Sequence, residues 1–228
     1  MRRRVAFISA VALLGTVSIS TPGTALGLCR GNEIKPRVHD AVVKRDQTLD
    51  ALVAALQHRN DPFQLNADQI TALQQARSSL DALDAHITNT CYPTLVAFRT
   101  DVEKILTDYR VYWLRVPQTH VVGAADHLGT ASAKLQAAAA KLAALVNGNA
   151  TAQTDLAAMN ASLATADAKV GTAPHASASI TAVVGLAPAA DMSADDAALK
   201  AAYADLVAAR TALVHAREQG LKVVADLK

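Results

Sequence analysis

The chain has little of what a thick mixed fold or a hydrolytic active site would need. Its 228 residues include three Phe, four Tyr, one Trp and two Cys. So few rings exclude a core built around aromatic packing. Alanine, which buries little area per residue, supplies much of the 51% apolar content instead. Runs of β-branched and aromatic residues with period two are missing, which argues against strands. There is no CxxC motif, and no two of the seven histidines stand four apart as on a zinc-binding helix. GxSxG, phosphate-loop and dinucleotide-type glycine patterns are absent as well. The acidic residues, among them Asp81, Asp84, Asp101 and Glu103, are spaced as solvated helix faces rather than as an acid–base pair. No enzymatic activity, cofactor or metal is therefore predicted. A charge excess is missing too. Without Arg2, Arg3 and Arg4, the 22 basic residues fall to 19 against 20 acidic ones, which predicts no nucleic-acid partner.

What is present begins with a leader-like N-terminus. Three arginines precede an apolar run, Val5 to Val17, too short to span a bilayer as a helix, which needs about 20 residues. Small and helix-breaking residues follow. This layout predicts a cleavable signal peptide over residues 1–27 and a secreted or envelope-associated chain without a transmembrane segment. Leu28 before Cys29 disfavours lipidation. In an oxidising compartment the two cysteines, Cys29 and Cys91, are predicted to pair. They stand just before the first helix and just after the second, at one end of an antiparallel hairpin.

Apolar residues recur in steps of three and four along almost the whole mature chain, which predicts an all-α, elongated antiparallel bundle. The first helix spans about 34–59, with a seam at Val38, Val42, Leu49, Leu52 and Leu56. The second spans about 67–89, with Asn66 and Gln69 as a capping box and a seam at Leu73, Ala76, Leu80, Leu83 and Ile87. The third starts near Pro93 and carries Leu95, Phe98, Val102, Ile105, Tyr109, Tyr112 and Val116. Pro117 then interrupts, and the pattern resumes out of phase from Val121 to Val146. The fourth runs from about Thr151 to Val170, with a seam at Leu156, Met159, Leu163, Ala166 and Val170, and the last from Ser193, with a seam at Leu199, Ala202, Leu206, Ala209, Leu213 and Ala216. Between them, "SITAVVGL" reads as a short apolar helix plugging a bundle end. The order suggests two three-helix units, 28–116 and 117–228, sharing a long middle stretch that Pro117 either kinks as one helix or divides into two. A single longer bundle is the competing arrangement.

The stretch "DYRVYWLRVPQTH", Asp108 to His120, concentrates the aromatics. Tyr109 and Tyr112 lie on the seam, and Trp113 flanks it. Pro117 removes a backbone donor. Two readings follow: the aromatics fill a gap at the junction of two bundles, or Tyr109, Tyr112, Trp113, Pro117 and His120 line a cleft for an amphiphile or a partner segment. His120 and His127 share a helical face with Asp126 nearby, but two turns, about 10 Å of rise, separate the imidazoles. "AAAAKLAAL" lacks the bulky anchors and basic face of a membrane-surface helix and reads as close helix packing through small residues.

"DYRVYWLRVPQTH" with the following "AAD", and later "VVGLAPAADMSADDAALKAAYADL", resemble exported, Ala-rich helical proteins of actinobacteria, over about residues 100–227. The resemblance implies an all-helical exported chain of coiled-coil type and brings no catalytic residues. The expected function is a structural or protein-interaction role at the cell envelope, through an envelope partner or self-association. The alternative is a carrier holding a small apolar ligand near Pro117.

Overall fold

The computed structural model describes residues 29–186 and 192–228. The predicted signal peptide lies outside the described residues. The chain is an all-α helical bundle whose described strands are a two-residue pair.

Helices α1 (Lys35–Gln57) and α2 (Asn66–Asn89) form the expected hairpin. Their seams close on each other and on α3 (Leu95–Thr107), with Val38, Val42, Leu80, Ile87, Phe98 and Ile105 all buried. Pro36 falls in the first turn of α1, where its missing N–H costs no hydrogen bond. Cys29 and Cys91 are joined by a disulfide with their Cα atoms 4.7 Å apart. Next to it the Arg30 amide donates to the Tyr92 carbonyl at 2.9 Å. The Lys35 ammonium donates to the Thr88 and Thr90 carbonyls at 3.0 and 2.7 Å, satisfying acceptors where α2 ends.

The start of α2 differs from expectation. Asn66 and Gln69 form no capping box. The Asp61 carboxylate instead accepts the amides of Leu65 and Asn66, each at 2.9 Å. Both expected box residues are buried and turn elsewhere. Asn66 Nδ2 donates to the Leu56 carbonyl, and Gln69 Nε2 to that of Val184.

The predicted middle helix is also interrupted, and not at the proline. α3 stops at Thr107, and Arg110 takes a left-handed backbone with φ +40°. A π-helical segment, Val111–Arg115, leads into α4 (Val116–Ala143). Its wider turn closes by a bond from the Val116 amide to the Val111 carbonyl. Pro117 therefore sits in the first turn of α4 and breaks nothing. Turning the chain at Arg110 changes which residues face inward. Val111 and Leu114 are buried, whereas Tyr112 is 52% and Trp113 45% exposed. Of the three rings only Tyr109, half-buried, packs on the core at the junction, while Tyr112 and Trp113 do not fill it. Leu95, at the start of the predicted seam, is also exposed.

α4 packs on α5 (Ala150–Val170) and α7 (Met192–Asp226), and the last two run along each other. Every predicted seam residue of α5 and α7 is buried, with Ala166, Ala202, Ala209 and Ala216 fully so. These small side chains let the helix axes approach closely. At Gly220 an added Cβ would lie 3.1 Å from Met159 Sδ, so glycine continues that close approach. Between them a two-residue strand pair, β1 (Gly171–Thr172) with β2 (His175–Ala176), leads to α6 (Ala178–Val184). This is the short helix expected from "SITAVVGL", with Ile180 and Val183 buried. Gln118, fully buried, donates to the Val183 and Leu186 carbonyls at 2.8 and 3.1 Å and ties α4 to the end of α6.

Candidate functional site

The five residues read as a cleft near Pro117 go to different places. The Tyr109 hydroxyl donates to the Ser79 carbonyl on α2 at 3.0 Å, and burial raises its pKa. The Tyr112 hydroxyl donates to the Lys44 carbonyl on α1 at 3.4 Å, and the Arg45 guanidinium lies 5.3 Å from its ring centroid. Each tyrosine thus braces one helix of the first hairpin. Trp113 and His120 face solvent, and Pro117 is half-buried in the first turn of α4.

A polar cavity of about 450 Å³ lies elsewhere, where the end of α1 meets α4. Its walls are Ala55, His58, Arg59 and Asn60 from one side and Asp126, His127, Thr130 and Lys134 from the other. It adjoins a second depression that shares Asn60, Thr130 and Lys134. Asp126 is 1% exposed, and neither of its carboxylate oxygens has a hydrogen-bond partner. Burial is the main reason its pKa rises to about 7. The nearby Asp61 carboxylate adds to that rise and the Arg59 guanidinium opposes it. Arg59 Nη1 is likewise buried without a partner. It occupies the space above Gly123, where a Cβ would stand 1.7 Å from it. Alanine at 123 would push the guanidinium out. In the sequence Asp126 stands only as a neighbour of His120 and His127. The signal that points to the cavity is Gly123, a helix-weakening residue inside a long Ala-rich helix. Among the described residues, no group of three His, Cys, Asp or Glu side chains is placed to hold a metal ion.

A third feature is the outward side of α7. Beside its buried seam runs a second one in alternating steps of three and four: Tyr203, Val207, Arg210, Val214, Arg217, Leu221 and Val224. All seven are exposed, Val207 at 65%. Its C-terminal half borders an apolar groove of about 340 Å³ lined by Leu135, Leu142, Met159, Leu221 and Val224, with Lys141 and Arg217 also on its walls. Arg210 and Arg217 make no ion pair among the described residues.

Compared with protein-family models, curated proteins and solved structures, the chain matches none.

Proposed function

We propose that the chain is an exported interaction protein that docks an acidic partner helix along the second seam of α7. The exposed seam is the observation that carries this. An exposed helix face needs no apolar residues at coiled-coil spacing, yet five of the seven seam positions are Tyr, Val or Leu over about 30 Å of helix. The neighbouring groove would accept a bulky anchor from the partner. The sign of the charge narrows the choice. Arg210, Arg217, Lys222 and, across the groove, Lys141 outnumber Glu218, so an acidic flank is complementary. A second copy paired in parallel fits poorly, because it sets each arginine against itself. Export is supported by the N-terminal pattern and by the Cys29–Cys91 bond, and no helix among the described residues is long and apolar enough to cross a membrane.

The test is a photo-cross-linking side chain at Val214 or Leu221 in the producing cell, with an exposed position on α2, Gln75, as control. The expected adduct is a protein cross-linked through an acidic helical segment, lost when Arg210 and Arg217 are both changed to Glu. An adduct of two copies of this chain, or equal labelling from the α2 control, overturns the reading.

A further inference from the structure

The cavity between the end of α1 and α4 holds a buried carboxylate, Asp126, and a half-buried guanidinium, Arg59, whose Nη1 is buried, and the two do not satisfy each other. Leaving a buried carboxylate and a buried guanidinium nitrogen unpaired is costly, and a fold with no use for them would replace either by an apolar residue. Gly123 shows that the arrangement is built, because the guanidinium needs the space a side chain there would fill. The other carboxylate of this corner, Asp61, is committed to the first amides of α2.

We propose that this cavity binds a small zwitterion of the α-amino acid type, with its ammonium group on Asp126 and its carboxylate on Arg59. Both orphaned groups line one cavity and call for opposite partners, and one molecule carrying both charges supplies them. A metal ion would find a single carboxylate there. A simple anion would face the Asp126 charge, and a simple amine would face the Arg59 charge. Apart from Ala55, the remaining wall groups, His58, His127, Asn60, Thr130 and Lys134, are polar and leave room for a short side chain. The site is separate from the α7 seam and does not depend on the docking role.

The pH dependence has a sign that separates this ligand from a plain anion. The charged groups around Asp126 are Arg59 and His58 at the end of α1, Asp61 in the turn, and His127 and Lys134 on α4. An ammonium group is held by the ionised carboxylate, whose pKa of about 7 makes that form increase between pH 6 and pH 8. Zwitterion affinity therefore rises with pH over that range. Anion affinity falls over the same range, because a neutral Asp126 carboxyl favours it.

The experiment is calorimetric titration of the full disulfide-bonded chain with a panel of L-amino acids, using L-alanine, propionate and ethylamine as a matched set. The expected result is one saturable site for an amino acid, tightening from pH 6 to pH 8. Propionate and ethylamine should bind at least about tenfold more weakly than alanine, since each leaves a buried group unpaired. Asp126→Asn should abolish binding. Gly123→Ala, which displaces Arg59 and leaves the carboxylate in place, should do the same and gives the reading if the first variant folds poorly. Propionate or inorganic phosphate binding as tightly as alanine, with affinity falling as pH rises, overturns the proposal. So does the absence of saturable binding by any amino acid at millimolar concentration, or binding that survives both substitutions.

Discussion

Arg110 and Asp195 meet across 85 residues of sequence, with a guanidinium nitrogen donating to a carboxylate oxygen at 2.8 Å. The carboxylate is fully buried at the start of α7. The arginine is the residue whose left-handed backbone separates α3 from the π-helical segment. The pair therefore pins the change of chain direction to the second set of helices. This predicts that Arg110→Ala, which strands a buried charge, lowers stability by about 3–5 kcal/mol. Arg110→Gly relieves the backbone and loses roughly 1 kcal/mol less than the alanine variant. Adding Asp195→Ala to Arg110→Ala should recover part of the loss. Pro117→Ala, by contrast, should stay within about 1 kcal/mol of the parent. Urea unfolding of the five proteins checks the order.

Trp113 should report on solvent rather than on a core. Its indole is 45% exposed, so its emission lies toward the red and iodide quenches it. Trp113→Ala should cost no more than about 1 kcal/mol, the range of surface substitutions rather than of core truncation. A blue-shifted, unquenched emission would contradict the orientation described.

Breaking the Cys29–Cys91 bond should destabilise the chain by roughly 4 kcal/mol, the loop-closure entropy of the 62-residue separation. The paired Cys29→Ser and Cys91→Ser substitutions, compared with the oxidised parent in denaturant, measure it. Helix content at room temperature should survive, because the hairpin core is packed independently by Val38, Val42, Leu80 and Ile87.

Asp126 gives stability a pH dependence of definite sign. Its pKa of about 7 in the folded chain exceeds the ordinary carboxyl value near 4 in the unfolded one. Between about pH 4 and pH 7 the folded chain keeps a proton the unfolded chain has lost, so this contribution to stability falls as pH rises and levels off above pH 7. Asp126→Asn removes it, and the variant's advantage over the parent should be largest above pH 7. Asp46, pushed to about 6 by burial with Asp81 next in effect, adds a slope of the same sign that persists in the variant. Thermal melts from pH 4 to pH 8 separate the two.

The helices were legible where period and chemistry agreed. The seams of α2, α5 and α7 follow from steps of three and four, because burial of one helix face is a local property of spacing. The disulfide was legible because the two cysteines flank a hairpin whose ends must coincide. The break at Arg110 was not legible. Proline is the residue whose covalent structure announces a break, whereas Arg110 turns the chain and pairs with a carboxylate far away in sequence. The start of α2 shows the same limit on a smaller scale. Asn66 and Gln69 have the right types for a capping box, but burial against Leu56 and Val184 draws their amides inward and leaves the cap to Asp61. The Asp126 cavity joins the ends of elements that only the packed bundle brings together, so neither its Arg59 nor its unpaired carboxylate stood out from ordinary helix-surface charge.

The disulfide also determines how the molecule carries load. Cys29 precedes α1 and Cys91 follows α2, so the bond is a covalent short circuit past the whole hairpin. Tension applied between the residue at 29 and the C-terminal end of α7 passes from Cys29 straight to Cys91 and on into α3. Residues 30–90 lie off that line of force. Pulled from its ends, the oxidised chain pays out α3 to α7 while the hairpin stays slack, and reduction adds the hairpin to the extensible length.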